Sequence, residues 1–282
     1  MRYVNLGCGS RYHPDWVNID IVPCGQDILV HDVIEGIPLP DANCDVVYHS
    51  NLLEHIRRAE ALPFMKECYR VLKAGGILRV AVPDLERVCK LYLEKLEAAS
   101  KGSVLAKYDY EWIILEMYDQ AVREHCGGDM STYLSQAPLP NEEFVYKRIG
   151  EEMRKSVSAR TCSPSGVPQF SWYSGLRRWV RILRFLPAAV RRYVLLFLLG
   201  RNGMKALEVG RFRFSGEVHH WMYERYSLAQ LMLAAGFKNP VQQSPAKSLI
   251  PHWSSFDLDT LPDGTVIKPD SLFMEAIKPV ET

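Results

Sequence analysis

The first ten residues, MRYVNLGCGS, constrain this chain more than any other stretch. Tyr3, Val4 and Leu6 suit a buried strand, and Gly7-Cys8-Gly9-Ser10 follows at once as a sharp turn. Two glycines let the backbone turn tightly and approach a ligand with no Cβ in the way. In open α/β sheets, ligands bind outside the carboxyl ends of the strands, where such a turn would lie. Short Gly-x-Gly turns are also common as plain reversals, so the turn by itself names no ligand.

The chain that follows alternates strands with helices. Trp16–Ile21 reads as a second strand with Asp20 near its end, and Asp27–Asp32 as a third, again closed by an acid. Cys44–His49 makes a fourth. Leu52–Leu72 has helical character, with a break expected near Pro63, and Ala74-Gly75-Gly76 reads as a glycine C-cap. Ile77–Val82 is a fifth strand running into Pro83-Asp84. Such β-branched strands, alternating with helices, describe a parallel sheet. From Asp84 the pattern turns helical. Asp84 can cap a helix bearing Leu85, Val88, Leu91, Tyr92 and Leu96, a second covers Val104–His125, and a third starts at Asn141. Cys162–Gln169 reads as a loop, and Leu176–Leu199 as two short basic amphipathic segments separated by Pro187. The α/β pattern resumes with Ser227 capping a helix that closes at Gly236, then strands near Val241-Gln242 and at Ser271–Ile277. The expected organisation is one domain built from residues 1–84 and 216–282, interrupted by a helical, basic insertion over 85–215.

Composition narrows the functional classes. Seven cysteines are scattered, odd in number and without a C-x-x-C pair. That argues against a disulfide framework or a zinc motif and for a reducing, cytoplasmic setting. The chain enters a strand directly, with no secretory leader pattern. The uninterrupted apolar run Tyr193–Leu199 falls far short of the ~20 residues a membrane-spanning helix needs. Beside the glycine turn, an acid closes each of two successive strands. A carboxylate at Asp20 suits the two hydroxyls of a ribose, and Asp32, one strand further, can reach a base edge. A nicotinamide fingerprint would need a third glycine three residues after the second, where this chain has Tyr12, so hydride transfer is disfavoured.

Taken in order, these motifs resemble the class I S-adenosylmethionine-dependent methyltransferases, in a poorly characterised bacterial branch of the type 11 kind. Asn5-Leu-Gly-Cys-Gly-Ser10 is similar to the first motif of that family, Asp45–His55 to its fourth strand and following loop, and Leu72–Asp84 to the late motif entering the fifth strand. Tyr226–Phe237 and Ser271–Pro279 are similar to the C-terminal part of that branch. The resemblance implies a Rossmann-like, seven-stranded, mostly parallel sheet, with S-adenosyl-L-methionine as cofactor. It implies that Asn5, Gly7, Cys8 and Gly9 face the methionine part, Asp20 the ribose, and Asp32 with Val33 the adenine, His49 lying near the methyl. Two departures stand out. Asn5 occupies a position often held by an acid, and ten residues between Gly9 and Asp20 leave room for a turn in place of the first helix. Arg11 could then take over the contact to the cofactor carboxylate that a helix N-terminus would make.

A sulfonium methyl is already activated, so the protein mainly positions an acceptor and, for a hydroxyl, removes a proton. The candidate bases are His49, His219 and His220; Asn51 and Asp84 are candidate substrate contacts, and His55 reads as a brace for the helix start. No metal-ligand spacing accompanies them. Over residues 144–215, fifteen lysines and arginines face three acids, so this stretch carries +12 and the remainder −11. Between Leu176 and Gly200 there are six arginines, no acid, and interleaved aromatic and aliphatic residues. That pattern suits an anionic membrane surface, placing the enzyme peripherally at the inner face of the membrane. It suits somewhat better a lid or dimer face that packs its apolar side on the body and leaves the arginines solvated. Nucleic acid is disfavoured by the purely apolar Val194–Leu199. The expected acceptor is a small molecule, a saccharide or a lipid-linked group, at oxygen more than nitrogen. The alternatives are an RNA methyltransferase and an inactive cofactor-binding scaffold.

Overall fold

The computed structural model describes residues 1–280 except 24, 26 and 160–187, and for 151–159 and 188–192 it describes the backbone alone. Four parallel strands open the chain: β1 (Tyr3–Leu6), β2 (Val17–Asp20), β3 (Ile28–Val30) and β4 (Cys44–Ser50). Helix α1 (Arg58–Val71) leads into β5 (Leu72–Pro83). The insertion follows as α2 (Leu85–Ser100), α3 (Val104–Val122), α4 (Gly128–Leu134), α5 (Glu142–Ala159, bent at Gly150) and α6 (Ala188–Arg213, bent at Gly200). Helix α7 (Arg225–Ala234), β6 (Lys238–Gln243) and β7 (Ser271–Ile277) complete the fold. The seven strands run in the order β3-β2-β1-β4-β5-β7-β6, parallel through β5 and antiparallel at β7. This is the expected mixed sheet with its helical insertion after the fifth strand. The predicted loop at Cys162–Gln169 and the basic segment up to Pro187 lie outside the described residues.

Each strand divides its side chains between two faces. On one face Val4, Leu6, Ile19 and Val47 pack under Phe64, Met65 and Cys68 of α1 and Leu228 and Met232 of α7. On the other, Tyr3, Val46, Tyr48 and Ile77 meet Trp16, Ile250, Trp253, Phe256 and Leu258. The second cover is an irregular segment between β6 and β7, which lies where a β1–β2 crossover helix would have packed. The connection from β1 to β2 is too short for that helix, and Gly7–Trp16 contains none. The insertion carries a cluster of its own, with Val88, Trp112, Ile113, Tyr133 and Val145 buried together.

An arginine in a central strand holds the irregular cover in place. Arg79 is completely buried, with Nε 2.8 Å from Asp259 and Nη1 2.6 Å from Glu275. Its remaining N–H groups donate to the carbonyls of Ser244 and Lys247 at 3.0 Å. Tyr48 donates to the other Asp259 oxygen at 2.6 Å, and Leu249 N–H to the other Glu275 oxygen at 2.7 Å. The guanidinium also lies 4.4 Å from the Trp253 ring centre. Buried charges persist only when paired and hydrogen-bonded, and this set meets both conditions.

Three local expectations are corrected. Pro63 lies inside α1 without ending it, because the buried face of Ala61, Phe64, Met65, Cys68 and Val71 holds the helix on the sheet despite one lost N–H. The glycines after α1 are not its C-cap. Leu72 is already extended (φ −73°, ψ 141°) and pairs with Cys44, while Gly75 (φ 77°) turns the backbone within a bulge of β5. The N-cap of α7 is Glu224, not Ser227. The Glu224 carboxylate accepts the Ser227 N–H at 2.8 Å, a capping box with the two residue types exchanged.

Replacing Arg79 by Met should cost about 3–5 kcal/mol in urea unfolding, because Asp259 and Glu275 stay buried without their partner. A loss below about 1 kcal/mol would show that the network does not hold the cover.

Candidate active site

The register of the parallel strands brings the predicted cofactor residues to one edge. Leu6 pairs with Ile19 and with His49, so Gly7 emerges beside both Asp20 and Ser50. Ser50 in turn pairs with Ala81, two residues before Pro83. Gly7-Gly9, Asp20, Asn51 and Asp84 therefore share the carboxyl edge of the sheet.

Gly7 and Gly9 have φ of +61° and +52°, a region costly for side chains with a Cβ. Gly7 N–H donates to the Ile19 carbonyl at 2.8 Å, and a Cβ there would lie 2.9 Å from Leu52. A Cβ on Gly9 would meet nothing within 4 Å, so the backbone at Gly9 faces open space. One Asp20 oxygen accepts the Gly9 N–H at 2.8 Å, and the other accepts the Val22 N–H at 2.9 Å. The acid and the glycine turn are thus one unit. Cys8 is buried beside them.

Other predicted residues have structural partners of their own. Asn5 is buried, and its amide donates to the Arg11 carbonyl at 2.9 Å, tying down the shortened loop. Asp32 caps the short 3-10 turn Val33–Glu35 through the Ile34 N–H at 3.0 Å, with Val33 in the core. Asp84 caps α2, as expected, by accepting the Arg87 N–H at 3.2 Å, and forms a backbone bridge with Tyr223. Asn51 takes a left-handed conformation (φ 50°), and its N–H donates to the Ala81 carbonyl at 2.9 Å.

The histidines separate into two places. His49 points to the α1 face, completely buried, its ring centre 5.3 Å from Phe64. Neither ring nitrogen finds a hydrogen-bond partner, and burial holds its pKa down at about 3. It is a neutral core histidine, and its buried ring does not offer the candidate base expected near the methyl at this strand end. His219 and His220, on the segment returning from the insertion, lie instead against the turn after β4. The N–H groups of His220 and Trp221 donate to the Glu54 carbonyl at 2.7 and 3.2 Å, and the His219 ring centre is 4.6 Å from that of His55. His55 Nδ1 is 3.2 Å from the Val218 carbonyl, so His55 braces this junction. Burial lowers the pKa of His55 to about 4 and of His219 to about 2. His220 is only half-buried, and burial together with Arg57 and Arg213 lowers its pKa.

Glu54 was missed by sequence reasoning. It is completely buried in the turn Leu53–His55, with both carboxylate oxygens unpartnered, and burial raises its pKa to about 7. The available signal was an acid beside a histidine directly after a strand tip. His219, which the return segment brings beside it, has no signature in spacing.

Residues 5–80 match a family model described as a methyltransferase domain. A probable S-adenosylmethionine-dependent methyltransferase of Mycobacterium tuberculosis is 42% identical over 29% of this chain and 35% of its own length. One of Mycolicibacterium smegmatis is 39% identical over 19% of this chain and 20% of its own. The matched stretches thus span about a third or less of those relatives. Among solved structures, a possible histamine N-methyltransferase of Thermotoga maritima is 13% identical over 98% of this chain and 82% of its own, with a TM-score of 0.39. A methyltransferase of Archaeoglobus fulgidus is 20% identical over 33% of this chain and 50% of its own, with a TM-score of 0.28. At those scores neither carries weight; the fold is defined by the strand order itself. Residues 5–80, which hold the glycine turn, are thus similar to a methyltransferase domain, and part of the chain is similar to S-adenosylmethionine-dependent methyltransferases.

The placement of His49 predicts an acid sensitivity. Its folded pKa lies below the unfolded value, so the unfolded chain binds the extra proton and stability falls as pH drops below about 6.5. His49→Leu should change stability little at pH 7.5, since it removes two orphaned nitrogens. At pH 5 it should gain about 2 kcal/mol over the parent in urea unfolding. Parallel pH profiles for the two proteins would contradict the neutral, buried assignment.

Proposed function

We propose that the chain transfers a methyl group from S-adenosyl-L-methionine to a small-molecule, saccharide or lipid-linked acceptor, at oxygen more than nitrogen. The observation that carries the cofactor part is the Asp20–Gly9 unit at the carboxyl edge of the sheet, with open space above Gly9. In this reading Gly7, Cys8 and Gly9 hold the methionine part by backbone contacts, with Asn5 keeping their loop in shape. Asp20 takes the ribose hydroxyls, and Asp32 with Val33 flanks the adenine. The cofactor supplies an activated methyl group when bound. The chain then has to orient the acceptor, a role for Asn51 and Asp84, and to accept a proton from a hydroxyl. His220 is the predicted base with an accessible ring, whereas His49 and His219 are 0% and 6% exposed.

The insertion supports a second element of the proposal, docking on an anionic membrane surface. Among the described residues no helix is long and apolar enough to cross a membrane. Yet Tyr193, Phe197 and Leu198 are 72%, 89% and 66% exposed, in a stretch carrying a large positive excess. Exposed apolar side chains beside arginines favour the headgroup boundary of acidic lipids. A lipid-linked acceptor would be presented there. Residues 176–187 lie outside the described residues. Flotation with anionic and neutral vesicles tests the docking; recovery with neither would remove the membrane part.

Calorimetry with S-adenosylhomocysteine tests the cofactor site. Asp20→Ala should weaken binding by about tenfold or more, because a charged hydrogen-bond acceptor and the anchor of the glycine turn are lost together. Parental affinity in that variant would overturn the ribose assignment. Transfer of labelled methyl from the cofactor into cell extracts should survive nuclease treatment; label lost with nuclease would indicate RNA, and no label in any extract a scaffold.

A further inference from the structure

The junction between the strand edge and the insertion contains a set of ligating groups that methyl transfer does not require. Glu54, His55 and His219 each offer a ligand atom, and these atoms lie within 4.8 Å of one another. They come from distant parts of the chain. Glu54 and His55 sit on the turn after β4, and His219 on the segment returning from the insertion, where its N–H donates to the Gln120 carbonyl of α3 at 3.0 Å.

Two observations indicate that the set is built for a ligand. The Glu54 carboxylate is completely buried and neither oxygen has a hydrogen-bond partner, although such an acceptor costs several kcal/mol when unsatisfied. The histidines, by contrast, are held from outside. His55 Nδ1 faces the Val218 carbonyl at 3.2 Å, a contact that requires N–H on that nitrogen and leaves the lone pair on Nε2. His219 Nε2 lies 3.1 Å from the terminal amide of Gln120; with its oxygen turned to the ring, that amide accepts from Nε2–H and leaves the lone pair on Nδ1. An oxygen acceptor on the far N–H of the ring, as the Val218 carbonyl is for His55, is the usual second shell of a metal-bound histidine.

We propose that Glu54, His55 and His219 bind one divalent first-row transition metal of the zinc type. Two imidazoles and one carboxylate match the borderline-soft preference of such ions, whereas magnesium and calcium favour all-oxygen sites. Three protein ligands leave at least one coordination position for water or another group. With metal–ligand bonds of about 2.0–2.1 Å, tetrahedral ligand atoms stand about 3.4 Å apart, so the side chains close inward by side-chain rotation. The ion cross-links the β4 exit and the return segment, which Gln120 of α3 holds in place, fixing the insertion against the strand edge. The proposal does not depend on methyl transfer, and its failure leaves the cofactor reading intact.

The test uses the full chain, purified without a metal-affinity tag and stripped with chelator. Titration with Co2+, followed by visible absorption, should show one equivalent bound, displaced by Zn2+ and not by Mg2+. X-ray absorption of the zinc form should show scattering from two imidazoles. Glu54→Gln and His219→Ala, with far-ultraviolet circular dichroism like the parent, should each weaken binding at least as much as the 10–100-fold typical of losing an orienting partner. The absence of stoichiometric binding by the parent overturns the proposal, as does a bound ion without two-imidazole scattering. Folded variants that bind like the parent also overturn it. If neither variant folds, the scattering of the parent decides.

Discussion

The buried Arg79 guanidinium is the interaction on which much of this structure depends. A parallel sheet needs both faces covered. Here the short step from β1 to β2 leaves one face without its first helix. The cover is an irregular segment with little regular hydrogen bonding of its own, and such a segment stays in place only if its polar groups are satisfied. Arg79 does this from within the sheet, meeting two carboxylates and the backbone carbonyls of Ser244, Pro245 and Lys247. Around it, Trp16, Tyr48, Trp253 and Phe256 fill the volume with ring contacts. One charged hub and an aromatic layer thus replace a helix.

The shortened connection also shapes the cofactor edge. Where a helix N-terminus would present backbone N–H groups, the loop is held by the Asn5 amide on the Arg11 carbonyl and by Asp20 on the Gly9 N–H. Asp20 is the anchor of the turn, and in the proposed reading it is also the acid offered to the ribose. On the opposite side of the strand edge, the return segment of the insertion pairs its backbone with Glu54 and, at Tyr223, with Asp84. The insertion is therefore tied to the sheet at the place where an acceptor would enter.

Much of the fold was legible because its signals are local. Strand positions, the Asp84 cap and the β7 boundaries Ser271–Ile277 follow from apolar runs, turn residues and capping chemistry within a few positions. The misreadings arose where tertiary contacts outweighed local preference. Pro63 stays within α1 because five buried side chains hold that helix. Gly75 turns within a strand because Leu72 has already paired with Cys44. His49 ends near a strand tip, as a catalytic residue might, but strand alternation sends its ring into the core beside Phe64.

The sequence by itself determined the mixed α/β sheet, the glycine turn, the order of acids after it and the uneven charge of the insertion, since each is written in neighbouring residues. Only the tertiary structure decided which of those residues meet. Arg79 meets Asp259 and Glu275, and Glu54 and His55 come together with His219, across more than 150 residues. No periodicity or spacing encodes them. They exist because the sheet brings its strand ends and covering segments together, and because charge removed from water must find a partner wherever the chain supplies one.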